Sequence, residues 1–319
     1  MDGSDTALDE AAETAVRQCL ALSPGEAFVV VTDDERRGIG QRLYDAGREV
    51  TDDAVIVQHP PGPQHGAEPP NTVAAAMRDA DVFVAPTTKS LSHTRARSAA
   101  CENGARGATM PGITEEVMVA GLDADYDAIA AHCRDVYEQV ADASEVRVTT
   151  DAGTDITFEP GEREWHSDTG LVHEPGDFSN LPAGEVFVSP ETASGTYVVD
   201  GTMMPHGLLD RELRFEVDDG YVTDISDDAV REQVEAGAES VGRDAYNLAE
   251  LGIGTNVGVS ELVGSVLLDE KAAGTVHIAI GDDASIGGDT EAPLHLDGIV
   301  RDPTVYADGE VVDLPTVER

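Results

Sequence analysis

Lysine is almost missing from this 319-residue chain, where only Lys89 and Lys271 occur and every other basic residue is arginine. Basic side chains number 20 against 63 acidic ones, a formal net charge of -43. A surface of that sign repels phosphate, which excludes a broad nucleic-acid interface and docking on an anionic bilayer. Aromatic residues are only 4% of the chain. Abundant acid, little lysine and few large apolar groups form the composition of a protein that folds in molar salt. Screening there shortens to roughly 3 Å and self-repulsion is suppressed, so the charge reads as a halophilic habitat rather than as a function.

Other absences narrow the field further. The three cysteines, Cys19, Cys101 and Cys133, show neither CxxC nor metal-like spacing, and free thiols in a reducing compartment are expected. No stretch approaches 18 apolar residues, and the first residues show neither a basic nor an apolar leader segment. The expectation is a soluble, cytoplasmic protein. No phosphate-cradling loop, GxSxG elbow or HExxH helix occurs, and Gly252-Ile253-Gly254 lacks the third glycine of a dinucleotide fingerprint.

Hydrophobic residues still make up 40% of the chain, enough for a core. In the first half, buried-strand runs such as Ala27–Val31, Ala54–Val57 and Asp81–Ala85 alternate with helical segments. Pro60, Pro61, Pro63, Pro69 and Pro70 mark a loop, flanked by His59 and His65, both expected in solvent. A helix over 125–141 carries Ile129, Cys133, Val136 and Val140 on one stripe. From about Glu145 short alternating strands replace this pattern. The expected fold is an α/β domain with a mainly parallel sheet over 1–144, then a mainly antiparallel, β-rich metal-binding domain over 145–319.

The chemistry concentrates in the second half. In His295-Leu296-Asp297, positions i and i+2 of a strand share one face about 6–7 Å apart, so imidazole and carboxylate can converge on one ion. Alternation in Thr275–Gly281 places His277, Ala279 and Gly281 on a common face. Glu250 interrupts a small, apolar strand ahead of a glycine-rich turn, and an acid buried there needs a cation. Glu185 opens another strand, where a solvated strand end is the competing expectation. Trp165, His166 and His173 fall in a loop, and Asp282 or Asp283 offers a further donor.

The stretches Ala249–Glu270, Gly274–Gly281 and His295–Gly298 resemble the leucyl aminopeptidase family typified by aminopeptidases T and S. Leu181–Phe187, Ser90–Arg97 and Met110–Thr114 add to the likeness. The resemblance implies an α/β domain ahead of a β-rich domain, a homodimer, and two divalent ions (Zn, Co or Mn). It implies Glu185, Glu250, His277, His295 and Asp297 as metal ligands; either Glu185 or Glu250 can then take the proton of the metal-bound water, and the expectation is Glu250 as bridge and Glu185 as base. The implied activity is aminopeptidase hydrolysis of a peptide substrate by a metal-activated water. His93, in Ser92-His93-Thr94-Arg95, is the weaker candidate for a substrate contact.

One departure matters. Those peptidases carry a tyrosine seven residues after the histidine matched by His277, where this chain has Ala284. Losing a phenol that donates to an oxyanion weighs against peptidase turnover more than against metal binding. Ring-opening dioxygenases of dihydroxypyridines resemble the same family and use one Fe(II) held by two histidines and an aspartate. His277, His295 and Asp297 form such a set. A non-catalytic metal-binding relative is the third expectation.

Overall fold

A computed structural model describes residues 3–317. The chain divides into two compact units, one of residues up to Ala130 with Thr169–Ala183, the other of Ala131–Asp168 with Gly184 onward. The sequence pattern suggests a single crossing near residue 145, whereas the chain passes between the units more than once. A return as short as 169–183 leaves no periodic signature for sequence reading to detect.

The first unit is built on a five-stranded parallel sheet in the order Ala54–His59, Phe28–Asp33, Val82–Thr87, Arg106–Pro111, Phe178–Asn180. Helices Arg37–Arg48, Asn71–Arg78 and Arg95–Glu102 link the first four strands. Phe28–Asp33 and Val82–Thr87 are buried along their whole length, which is why they read as unbroken apolar runs. Thr94 caps the helix Arg95–Glu102, accepting a hydrogen bond from the Arg97 amide. The fifth strand is only three residues long and is pinned through Asn180 Oδ1, which accepts from Ser92 Oγ and Thr109 Oγ1.

The helix expected over 125–141 forms as Tyr126–Val140, with Ile129, Cys133, Val136 and Val140 all buried. The second unit is antiparallel, as its alternation predicts, and holds two seven-stranded sheets. One runs Tyr221–Ile225, Leu213–Asp218, Thr192–Val199, Asp155–Glu159, Val146–Thr149, Thr304–Ala307, Glu310–Val311. The other runs Gly207–Leu208, Thr202–Met203, His295–Val300, Val276–Gly281, Leu248–Gly254, Glu185–Val188, His166–Asp168. In this second sheet Val186, Leu251, Ile253, Val276, Ile278 and Ile280 are buried at alternate positions. Full burial of each such side chain contributes about 1.5–3 kcal/mol. A Cβ on Gly298 would lie 2.5 Å from Val199, so the two sheets approach closely on that face. The residues between these positions point the other way, and they carry the polar groups described next.

Among the described residues no helix is long and apolar enough to cross a membrane. The three cysteines form no disulfide.

Candidate metal centre

Strand register, rather than sequence proximity, assembles the site. Glu250 pairs with Ala279, and Ala279 with Asp297, so one row across three strands carries both carboxylates with a methyl group between them. The next row aligns Phe187, Gly252, His277 and Ile299. Glu185 sits opposite Gly254 and His295 opposite Gly281. Residues directly opposite share a face, so the five acids and imidazoles singled out in the sequence lie on the same side of one sheet.

Small residues make the room. A Cβ on Gly252 would sit 2.0 Å from His277 Nε2, so only glycine leaves space for that imidazole. The glycines after Glu250, expected as a turn, are therefore strand residues, and Gly252 clears space for the site.

His277 Nε2 lies 3.2 Å from Glu250 Oε1 and 3.4 Å from Glu185 Oε2. His295 Nε2 lies 3.2 Å from Glu250 Oε2 and 3.3 Å from Asp297 Oδ1. Two donor groups result, Glu185–Glu250–His277 and Glu250–His295–Asp297, each with its ligand atoms within 4.8 Å of one another. Glu250 belongs to both. His295 Nδ1 lies 2.7 Å from the Asp282 carbonyl and donates to it, which fixes the tautomer and leaves Nε2 to face a cation. Glu185 Oε2 is buried without a hydrogen-bond partner. Two imidazoles and three carboxylates, one with an unused oxygen, fit a divalent transition metal.

Glu185 is buried rather than a solvated strand end. The sequence reading missed the reason: Lys271 forms ion pairs with Glu185 and, at 2.8 Å, with Glu270. Its rarity was the available signal, since a lysine in a chain with only one other is worth asking about. Asp283 is no ligand. Its carboxylate accepts from Ser189, Asn247 and the Thr290 amide, tying down the loop. Asp282 likewise accepts from the Ala292 amide.

Other candidates disperse. His166 lies in the edge strand His166–Asp168 rather than a loop, stacked on Phe187 with ring centroids 5.3 Å apart. His173 bonds the Gln18 carbonyl. His93 belongs to the first unit, exposed in the turn before Thr94. His59, expected in solvent, is buried.

The cluster distorts its own titration. Burial pushes Glu185 up to about 7 against the pull of Lys271 and His277. Burial opposes charging of His277, yet its bond to Glu250 and the charge of Glu185 push it up to about 9. For Glu250 burial is likewise outweighed, here by bonds from both histidines, and its carboxyl is held well below the usual range. Asp297 is lowered, with His295 overcoming burial, and His295 is raised by Asp297 and Glu250 against its own burial.

Glu185 rises from 4.5 and His277 from 6.5, so over that range the folded protein holds protons that the unfolded chain has released. Stability then falls as pH rises. Metal-free protein is expected to melt at progressively lower temperature from about pH 5 to about pH 9. Calorimetry showing a rising melting temperature across that window would contradict the charge arrangement described here.

Comparison with known proteins adds the family. The family model for 2,5-dihydroxypyridine 5,6-dioxygenase (NicX) matches residues 8–315. A curated relative, the 2,5-dihydroxypyridine 5,6-dioxygenase of Pseudomonas putida KT2440, is 25% identical over 186 residues, 54% of this chain. That match spans about half the relative's length, 53%. The solved 2,5-dihydroxypyridine dioxygenase structure from Pseudomonas putida KT2440 superposes with a TM-score of 0.77 at 19% identity, covering 97% of this chain and 95% of that one. AmpT from Thermus thermophilus superposes with a TM-score of 0.69 at 18% identity, covering 97% and 100%. The likeness to AmpT bears out the fold that the aminopeptidase resemblance implied, while the family itself is another. The chain belongs to the 2,5-dihydroxypyridine 5,6-dioxygenase family.

Proposed function

We propose that this protein is a metal-dependent oxygenase that opens a dihydroxylated nitrogen-heteroaromatic ring, using one Fe(II) held by His277, His295 and Asp297 beside Glu250. The observation that carries this reading is the buried pair of Lys271 with Glu185. An ammonium built into the chain already compensates one of the five donors and disfavours a second ion beside it. What remains is two imidazoles and carboxylates, a set that suits Fe(II) with positions left open. When bound, the ion supplies the one-electron chemistry by which dioxygen reacts with a closed-shell ring.

The chain's own groups divide the remaining work. His295, with 33% of its side chain exposed, marks the open side from which substrate arrives. Glu185, raised to about 7 and with Oε2 unbonded, is fitted to take the proton of a ring hydroxyl at that oxygen. Lys271 holds the other oxygen and stabilises the carboxylate in place. Glu250 stays ionised and orients both imidazoles.

A second reading, the metallo-aminopeptidase, is favoured by one observation: Glu250 is shared between two three-donor groups, as a pair of ions would require. Against it stands Ala284, which opens a short turn where those peptidases carry a tyrosine. Elemental analysis of protein purified in molar potassium chloride, followed by paired assays, separates the two. The expected result is one iron per chain and oxygen uptake matching the loss of 2,5-dihydroxypyridine. Two zinc, cobalt or manganese ions per chain with release of amine from a leucyl-amide would replace the oxygenase with the peptidase.

A further inference from the structure

We propose that the first unit carries a small-molecule site of its own, at the carboxyl end of its parallel sheet, taking an aromatic carboxylate. The cavity there has a volume of about 490 Å³ and is lined by His59, Thr87, Lys89, Leu91 and the proline loop. Ligand sites in proteins typically span roughly 300–1,000 Å³. His59 ends the strand Ala54–His59, and Thr87 ends Val82–Thr87. These strands flank Phe28–Asp33 on its two sides. The chain leaves that first strand for one neighbour and then crosses to the other, so strand order reverses here. In open parallel sheets such a reversal opens a crevice at the carboxyl ends.

The lining specifies the ligand. His59 Nδ1 lies 2.7 Å from the Pro60 carbonyl and donates to it, which ties the strand end to the proline loop. Lys89 forms no ion pair among the described residues, although acids outnumber bases threefold in this chain. The acid in the lining, Glu68, is engaged by Arg95 and by the Arg95 and Ala96 amides. The free ammonium calls for an anion, and a carboxylate answers it. Pro60, Pro61, Pro63, Pro69 and Pro70 give stiff walls without N–H groups, suited to the flat face of a ring. Thr87 Oγ1 donates to the Lys89 carbonyl at 2.7 Å and anchors the segment that carries the lysine. The site stands independently of the reaction proposed for the second unit.

Calorimetric titration of the metal-loaded protein with 4-hydroxybenzoate tests this. A single molecule is expected to bind per chain. Replacing the carboxylate by carboxamide, or Lys89→Met, is expected to weaken binding about tenfold or more. Lys89 is half-buried, so its replacement is expected to leave the melting temperature intact. His295→Ala is expected to leave the titration unchanged. The proposal falls if 4-hydroxybenzoate shows no binding at millimolar concentration, or if Lys89→Met binds it as well as the parent does. Loss of binding in His295→Ala would also overturn it, by placing the ligand on the metal donors.

Discussion

Replacing His295 with alanine is expected to lower metal affinity by on the order of a hundredfold or more, with turnover falling at least as far. Losing a group that merely orients a ligand costs 10–100-fold, and a donor itself should cost no less. The variant is a clean probe because a third of the side chain is exposed, so truncation leaves no sealed cavity. His277 is a poorer choice, being buried against Gly252. Glu250→Gln should behave like His295→Ala for a different reason. It keeps the shape but removes the charge facing both imidazoles at 3.2 Å. Metal content per chain, turnover and near-ultraviolet circular dichroism together check the outcome. Either variant retaining full metal and full activity would dismiss the cluster as the reaction centre.

Lys271→Met is the prediction with the largest expected effect on stability. Lys271 is only 3% exposed, and its ammonium pairs with both Glu185 and Glu270. Burial alone would favour the neutral amine, yet the two carboxylates hold its pKa well above the usual lysine value. Methionine fills nearly the same volume but leaves two buried acids without a cation. Breaking a buried pair from one side costs about 3–5 kcal/mol, and molar salt screens such a pair far less than a surface one. Denaturant unfolding of metal-free protein should show that loss. Added manganese should restore part of it, because a divalent ion can take over the missing charge. A change within about 0.5 kcal/mol would mean that the carboxylates are neutral in the folded protein, and the single-ion reading would lose its support.

Much of this site was legible in advance. A strand places i and i+2 on one face, so His295 with Asp297 could be read as a pair from three letters of sequence. Glu250 stood out because burying an acid among Leu, Ala and Gly demands a partner. Glu185 was ambiguous, since strand ends are often solvated, and the pairing opposite Gly254 that buries it involves residues about seventy positions away. The short strands His166–Asp168 and Phe178–Asn180 escaped notice because three residues cannot establish a period. His59 was misplaced for a related reason. A proline loop reads as exposed, yet the strand end beside it is buried.

By itself the sequence determined what depends on local pattern. It set the change from alternating strands and helices to antiparallel strands, and it supplied acids and imidazoles in the second half. Tertiary structure alone decided which of those groups share an environment. Register across four strands brought five donors to one face, and Gly252 proved to be a clearance for His277. Lys271 was revealed as a resident cation among the acids. Periodicity reports which side of its own strand a residue occupies, whereas a metal site depends on which strands become neighbours, and that is settled only when the whole sheet pairs.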